Sequence, residues 1–278
     1  MKNKPLNFYK EKAAAIRKKI LEVSHRAKTV HIGSCLSLVE ILTVLYFGVM
    51  KIPSGGKKEF ERRDRLILSK GHASLALYAT LAERGILPAR LLDRYTQNGT
   101  LLPAHLIYNP SLGLEAATGS LGHGLSIAVG MALSAKRDGK SHRIFAILSD
   151  GECDEGSTWE AIMAAPQWQL DNLIVIVDYN KIQSFGRVKE VMELEPFAEK
   201  WKSFRWAVRE VDGHDMQNLE RLLSGIPFQK NRPSVIIAHT VKGKGVSFME
   251  DTLDWHYRNL TNELLRQAEQ EIRASLQT

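Results

Sequence analysis

Short apolar runs bounded by turn-forming residues recur along the chain and predict buried β-strands. Between these runs, apolar residues repeat at the spacing of amphipathic helices. The predicted strands are Arg65 to Ser69, Arg143 to Ser149, Asn172 to Tyr179, Trp206 to Val211 and Ser234 to Thr240, and the predicted helices between them are Leu75 to Arg84, Gly124 to Arg137, Thr158 to Trp168 and Met216 to Leu223.

Strands that alternate with helices favour an α/β fold, a doubly wound and mainly parallel sheet with helices on both faces. Two further helices, Phe8 to Arg26 and Leu38 to Met50, are predicted before the sheet, and an amphipathic helix, Thr261 to Leu276, after it. One domain over residues 1–278 accommodates all of these elements. Ligands of such sheets bind beyond the carboxyl ends of the strands, so the polar residues that follow each apolar run are the first candidates for a site.

The composition is that of a globular protein, with 44% hydrophobic and 25% charged residues among 278. This composition argues against a disordered or fibrous chain. The net charge of +7 comes without a nucleic-acid-binding motif, so we expect no nucleic acid partner and interpret the lysines and arginines as solvated helix faces. The positive net charge is compatible with small anionic ligands.

The two cysteines, Cys35 and Cys153, match no metal-ligand spacing and favour a reducing compartment. The most apolar stretch, Leu38 to Met50, is interrupted by Glu40 and is short for a bilayer span. We therefore predict a cytoplasmic protein without a membrane partner. The richest linker-like stretch is Pro53 to Lys58.

Polar residues follow two successive predicted strands. Asp150 and Gly151 come after one strand, and Asn180 comes after the next, about 30 positions later. One crossover helix fills that interval, so both side chains emerge at the same edge if the strands are neighbours. Carboxylate, amide and backbone carbonyl oxygens are ligands that Mg²⁺ accepts, and diphosphate oxygens can complete its shell. Either residue alone would be interpreted as a helix cap or a turn residue, but their joint spacing favours a metal site.

This segment resembles the thiamine diphosphate signature, which opens with Gly-Asp-Gly and ends at an Asn about 30 residues on; Ser149 replaces the first Gly. The resemblance implies that thiamine diphosphate binds here with Mg²⁺, or with Ca²⁺ or Mn²⁺ as a substitute. It implies side-chain metal ligands at Asp150 and Asn180, a carbonyl ligand at Ile182, and a contact from the Gly151 amide to the diphosphate.

Five more segments, in the same order along the chain, resemble transketolases in particular. They are residues 30–34, 68–73, 117–124, 152–161, and 242–245 ahead of Trp255-His256. Val30 and Ile32 replace the usual Gly and Pro, and His123 stands where Gln is common. The resemblance implies a channel to the reactive centre lined by His31, His72, His105 and His256, and cofactor contacts at Ser34, His72, Gly119, Ser120, Leu121, Gly151, Asn180, Lys242 and His256.

Histidines also suit this chemistry on physical grounds. Moving a two-carbon ketol unit requires proton removal and return near pH 7, where imidazole titrates. His25, His142, His214 and His239 are interpreted as structural, and His214 is expected to shape a turn. Without the resemblance, Glu155 would be interpreted as a solvated surface charge. The resemblance implies instead that Glu155 has a catalytic role: it would cross a subunit boundary and contact the acid that activates the cofactor's aminopyrimidine.

In transketolases that activating acid belongs to a pyrimidine-binding domain, and the sequence ends before one. The resemblance therefore implies the N-terminal subunit of a split transketolase, a heterotetramer with two copies of a C-terminal partner. It would transfer ketol units between sugar phosphates, as in the pentose phosphate pathway, and would be active only with the partner.

Three alternatives stay open. One is an unusual donor, such as a sulfonated or branched sugar phosphate. Another is a different thiamine diphosphate enzyme, a deoxyxylulose-phosphate synthase or a keto-acid dehydrogenase subunit, against which the segments at His72 and His256 count. The third is a non-catalytic homologue, against which the intact set of ligands and histidines counts.

Overall fold

The computed structural model describes residues 4–53 and 60–277, and a five-stranded parallel sheet forms its centre. The order of strands across the sheet is β1-β2-β3-β7-β6, and a separate antiparallel hairpin pairs β4 with β5. The strands are β1 Arg65–Leu68, β2 Ile144–Ser149, β3 Leu173–Tyr179, β4 Ile182–Gln183, β5 Gly186–Arg187, β6 Ala207–Asp212 and β7 Ser234–His239.

Helices cover both faces of the sheet. The α-helices are α1 Leu6–Ala27, α2 Ile32–Leu36, α3 Val39–Val44, α4 Ser74–Glu83, α5 Gly124–Arg137, α6 Gly156–Gln167, α7 Val188–Val191, α8 Phe197–Ser203, α9 Met216–Ser224 and α10 Asn262–Ser275. Helices α1, α3, α4, α9 and α10 contribute to the core on one face, and α5, α6 and α8 contribute to the core on the other.

Successive residues of the central strands enter opposite cores. Phe145 and Ile147 pack in the first core, whereas Ile144, Ala146 and Leu148 pack in the second. Both faces of the sheet are therefore buried among apolar side chains. This explains why the strand sequences are continuous apolar runs rather than alternating apolar and polar residues. Apolar burial on both faces is the main force that holds the sheet and its helix layers together.

The predicted α/β doubly wound fold is confirmed. All five predicted strands, and all the predicted helices except Leu38 to Met50, occur within a few residues of their expected bounds. The sequence did not predict the β4–β5 hairpin or the short helices α2, α7 and α8. Of the predicted 53–58 linker, only residue 53 lies within the described part of the chain.

The second predicted helix differs from expectation in length. Helices α2 and α3 and a π-helical turn, Leu45–Val49, form a run from Ile32 to Val49 that is long and apolar enough to cross a membrane by length and composition. However, 89% of this run is buried within the protein. Its apolar character therefore reflects its position in the core beside α1 and α4.

The sheet topology positions the predicted metal ligands. Strands β2 and β3 are parallel neighbours, with Ser149 opposite Asp178 in the register. Asp150 and Asn180 therefore leave the sheet at the same carboxyl edge, as their spacing predicts.

Candidate active site

A cleft of about 240 Å³ lies at the carboxyl edge of the sheet. Loops that follow β1, β2, β3 and β7 contribute to it, together with α2 and the turn Asp254–His256. Most of the predicted site residues line this cleft: His31, Ser34, His72, His105, Gly119, Leu121, Asp150, Gly151, Asn180, Ile182, Lys242 and His256. Ser120 and Glu155 are exposed and do not line it.

Two short hydrogen-bonded turns fix Asp150 and Asn180. Asp150 accepts the N–H of Gly151 at 2.8 Å on one carboxylate oxygen and the N–H of Lys181 at 2.6 Å on the other. Asn180 Oδ1 accepts the N–H of Ile182 at 3.1 Å. Each residue thus has the cap or turn role expected of it alone, and these same bonds hold both at one end of the cleft.

The donor set at this end fits Mg²⁺ and a diphosphate. Burial, followed by the charge of Asp178, raises the pKa of Asp150 to about 6, so a cation would relieve an unfavourable buried carboxylate. Asn180 and Ile182 add an amide and a backbone carbonyl oxygen, both hard ligands. Within residues 4–53 and 60–277, no cluster of three or more His, Cys, Asp or Glu suits a metal. A Cβ added at Gly151 would lie 3.0 Å from the Cβ of Gln183. Glycine at this position therefore permits a ligand to approach the Gly151 amide closely.

Three histidines form a cluster at the other end of the cleft. The ring centroids of His31 and His256 are 4.9 Å apart, those of His31 and His72 are 5.3 Å apart, and those of His72 and His256 are 5.7 Å apart. His31 has a left-handed backbone, with φ of 68°, and its N–H donates to the His256 carbonyl at 2.9 Å. This bond joins the start of α2 to a segment far along the chain.

His105 approaches from a different loop. A Cβ at Gly119, which has φ of +136°, would lie only 2.5 Å from His105 Cδ2. Glycine is therefore required there both by the backbone conformation and by the imidazole. The structure thus places His105 in the cleft wall despite its exposure.

The histidine cluster is electrically neutral at pH 7. Burial and the charges of neighbouring basic residues lower the pKa of His31 to about 4 and that of His256 to about 3, and hold the pKa of His72 well below its ordinary value. Uncharged imidazoles can accept a proton at one nitrogen and donate at the other, which charged ones cannot.

Lys242 links the two ends of the cleft. Its side chain is buried, and its Nζ donates to His256 Nδ1 at 2.7 Å and to the Ile182 carbonyl at 3.0 Å. Burial and the charge of Lys70 lower the pKa of Lys242 to about 8. Because an ammonium can only donate, His256 Nδ1 is an acceptor, and the ring proton of the neutral imidazole lies on Nε2.

Sequence reasoning missed a buried ion pair between Lys70, which lines the cleft, and Asp178. Lys70 Nζ lies 2.6 Å from Asp178 Oδ2, with side chains 1% and 0% exposed. Ser37 and Thr240 donate to Asp178, and Asn180 Nδ2 donates to it at 3.2 Å, which leaves Asn180 Oδ1 turned elsewhere. Burial alone would raise the pKa of Asp178, but Lys70 and these hydrogen bonds hold it below its ordinary value. The available sequence signals were a charged residue within the apolar run of β3, Asp178, and another, Lys70, directly after the predicted first strand.

Other residues of the cleft were also missed. Buried Glu152 accepts the N–H of Gly122 at 2.9 Å and so orders the loop that carries Gly119 and Leu121. Three further side chains line the cleft itself: Gln183, Ser184 and Tyr257. Each of these three lies within two positions of a predicted site residue, and this proximity was the only sequence signal.

The remaining histidines lie outside the cleft wall. His239 pairs with Glu210 at 2.9 Å on the surface. His214 shapes the turn before α9, where its N–H donates to Asp212.

Comparison with known proteins gives one family and a consistent set of relatives. Residues 9–274 match the family described as transketolase, thiamine diphosphate binding domain. An apulose-4-phosphate transketolase subunit from Phocaeicola vulgatus is 40% identical over 92% of this chain and 90% of its own length. A 6-deoxy-6-sulfo-D-fructose transketolase subunit from a Clostridium species is 43% identical over 94% of each chain.

A solved structure gives the same result. The transketolase of Campylobacter jejuni superposes with a TM-score of 0.89 at 29% identity and covers 97% of this chain. This chain spans only 43% of that protein, whereas it spans nearly the whole of the two subunits named above.

Proposed function

This chain belongs to the transketolase family, in which it represents the thiamine diphosphate binding part, and we propose that it is the N-terminal subunit of a two-chain transketolase. The observation that carries the proposal is one cleft in which Asp150, Asn180 and the Ile182 carbonyl adjoin three neutral histidines. A metal-and-anion end next to a proton-transfer end is what ketol transfer on a diphosphate cofactor requires.

The residues divide into two proposed roles. Asp150, Asn180 and Ile182 would hold Mg²⁺, and the remaining cofactor contacts would come from Ser34, His72, Gly119, Ser120, Leu121, Gly151, Lys242 and His256. Bound thiamine diphosphate would supply the electron sink for the transferred two-carbon unit. His31, His72, His105 and His256 would line the donor channel. There a neutral imidazole would accept the proton of the donor hydroxyl beside the scissile carbon–carbon bond as the shortened aldose leaves as an aldehyde, and would return a proton to the alkoxide formed when the two-carbon unit adds to the acceptor aldehyde.

A partner subunit is part of the proposal. Relatives that match this chain from end to end are named as subunits, whereas the Campylobacter transketolase is more than twice as long. Glu155 is exposed at the N-terminal boundary of α6, beside Gly122, and this suits a residue that meets a second chain. We propose a C-terminal partner with the pyrimidine-binding domain, two copies of each chain, and a cytoplasmic location.

The substrate proposal has two candidates. Ketose and aldose phosphates of the pentose phosphate type are the default pair for a transketolase. The names of the two bacterial subunits favour a second candidate, a branched or sulfonated ketose, as donor or product.

The test is reconstitution. The chain is co-expressed with its candidate partner, and two-carbon transfer is measured across a panel of ordinary, branched and sulfonated ketoses with thiamine diphosphate and Mg²⁺. We expect transfer by the pair and none by either chain alone. Robust transfer by the lone 278-residue chain, from a preparation free of host transketolase, would contradict the two-chain proposal.

A further inference from the structure

The loop that follows β7 carries Lys242 into the cleft, and its backbone is held from beneath on both sides of that residue. The contacts of Lys242 with His256 and Ile182 depend on where this backbone places a long and flexible side chain. The groups that hold the loop lie outside the cleft wall and come from α1, α3 and the turn after β6.

The first hold is on the residue before Lys242. The Val241 N–H donates to His214 Nε2 at 2.8 Å, so that nitrogen carries no proton. His214 Nδ1 lies 3.1 Å from Glu40 Oε2 and must be the protonated nitrogen of the neutral ring, donating to the carboxylate. Glu40 thus selects the His214 tautomer that can accept from the loop.

The second hold is two residues after Lys242. Arg17 Nε donates to the Lys244 carbonyl at 3.0 Å, and Arg17 Nη2 donates to the other oxygen of Glu40. The next residue, Gly245, has φ of +91°, and a Cβ there would lie 2.5 Å from Arg17 Nε. The loop backbone therefore packs directly onto the guanidinium group.

The Glu40 carboxylate contacts both groups that fix the loop, Arg17 and His214. The side chains of Arg17, Glu40 and His214 are only 10%, 7% and 13% exposed. Burial alone would raise the pKa of Glu40, but the charge of Arg17 and the hydrogen bonds from both partners lower it to about 2. Glu40 is therefore ionised at neutral pH, with each oxygen assigned to one of the two groups that hold the loop.

We propose that Arg17, Glu40 and His214 are positioning residues for the cleft: Glu40 orients Arg17 and His214 so that they fix the loop on either side of Lys242. This inference rests on the proposed function, because it takes Lys242 to be a cofactor contact. A buried ionic triad is in general a weak source of stability, so a role in placing the loop is the more specific account of these contacts.

Two variants of His214 separate positioning from simple packing. In His214→Gln, the side-chain amide oxygen takes the place of Nε2 and can still accept the Val241 N–H, while the contact with Glu40 is lost. In His214→Asn, the amide nitrogen takes the place of Nδ1 and keeps the contact with Glu40, while the acceptor for Val241 is lost. Both lose one buried contact of an imidazole, so a purely structural role predicts similar effects.

The first readout is hydrogen exchange of the Val241 amide in the full-length chain, without cofactor. The second is calorimetric affinity of the assembled complex for thiamine diphosphate at fixed Mg²⁺. We expect His214→Asn to speed Val241 exchange at least about tenfold and to weaken affinity about tenfold, the effect of roughly one hydrogen bond. Both values should stay within about threefold of wild type in His214→Gln. His239→Asn, which removes the surface pair with Glu210 and a ring contact with Tyr179, is the matched control and should change neither.

The outcomes distinguish the two proposals. Equal effects of His214→Asn and His214→Gln, or no effect of either, would overturn the positioning role. A wild-type complex that does not bind thiamine diphosphate would overturn the proposed function, while Val241 exchange would still report whether His214 holds the loop.

Discussion

At the scale of single residues, Asp150 combines burial, a raised pKa and two backbone hydrogen bonds at the end of β2. In Asp150→Ala the assembled complex would lose the charged member of the proposed metal ligands, so we expect Mg²⁺-dependent affinity for thiamine diphosphate to disappear in calorimetry. Asp93→Ala is the control, because Asp93 is an exposed carboxylate paired only loosely with Arg26. Unchanged affinity in Asp150→Ala would remove the metal assignment.

The clustered histidines carry a separate prediction. Replacement of His31, His72 or His256 by Ala should lower turnover by about 10²–10⁴-fold if that residue transfers protons, and by less if it only positions the donor. Melting temperature should change little for exposed or partly exposed rings such as His31. A variant that unfolds but keeps normal turnover per folded molecule would identify that histidine as structural.

The sequence could reveal some of these residues and not others, for physical reasons. Asp150 and Asn180 were predictable because both follow apolar strands at a spacing that fits one crossover. The Lys70–Asp178 pair was not, since its members lie 108 positions apart and meet only because β1, β2 and β3 are adjacent. The contact between His214 and Glu40 is of the same kind, with 174 positions between them.

At the scale of elements, helix α5 offers a matched pair of glycines. A Cβ at Gly124 would lie 2.1 Å from Ser69 Oγ and 2.9 Å from Ser69 Cα, so the start of the helix packs directly against the end of β1. A Cβ at Gly130 would meet nothing within 4 Å. The two positions therefore differ in packing, though both lie in the same helix.

From this difference we expect opposite effects on the free energy of unfolding. Gly124→Ala should destabilise the chain by about 1–3 kcal/mol through overpacking. Gly130→Ala should stabilise it by about 0.5–1 kcal/mol, because alanine favours the helix and restricts the unfolded chain. Denaturant titration of both variants measures the change in the free energy of unfolding. A Gly124→Ala variant that is more stable than wild type would show that Ser69 moves aside at little energetic cost.

Element prediction succeeded where burial gave a strong pattern. The strands that are buried on both faces appear in the sequence as continuous apolar runs. The long helix α1 has buried residues at regular helical spacing. The hairpin β4–β5 and helix α7 have two to four residues per element, too few for a pattern, and exist because tertiary contacts hold them.

At the scale of the whole molecule, we expect ligand binding to report on the partner. If the cofactor contacts both chains, thiamine diphosphate with Mg²⁺ should raise the melting temperature of the mixture much more than that of either chain. The expected stabilisation is about 2.7 kcal/mol at a hundredfold excess over Kd. Differential scanning fluorimetry measures it, and removal of Mg²⁺ by a chelator should reverse it.

Two results would count against this arrangement. One is an equal shift of the lone chain and the mixture, which would place the whole binding site on this chain. The other concerns Glu155→Gln, which should leave the shift of the mixture largely intact while turnover falls. A complete loss of cofactor binding in that variant would give Glu155 a different role.

The hydrogen bond from the His31 amide to the His256 carbonyl also bears on how the protein is made. Its two ends are separated by about 225 residues, which a ribosome adding roughly 5–20 residues per second needs about 10–45 s to synthesise. Helix α1 likewise packs against α10, which emerges later still. The nascent chain therefore carries the uncovered apolar face of α1 and an unfinished cleft for most of its synthesis. A product interrupted just before residue 256 has all five strands of the central sheet but lacks one member of the histidine cluster.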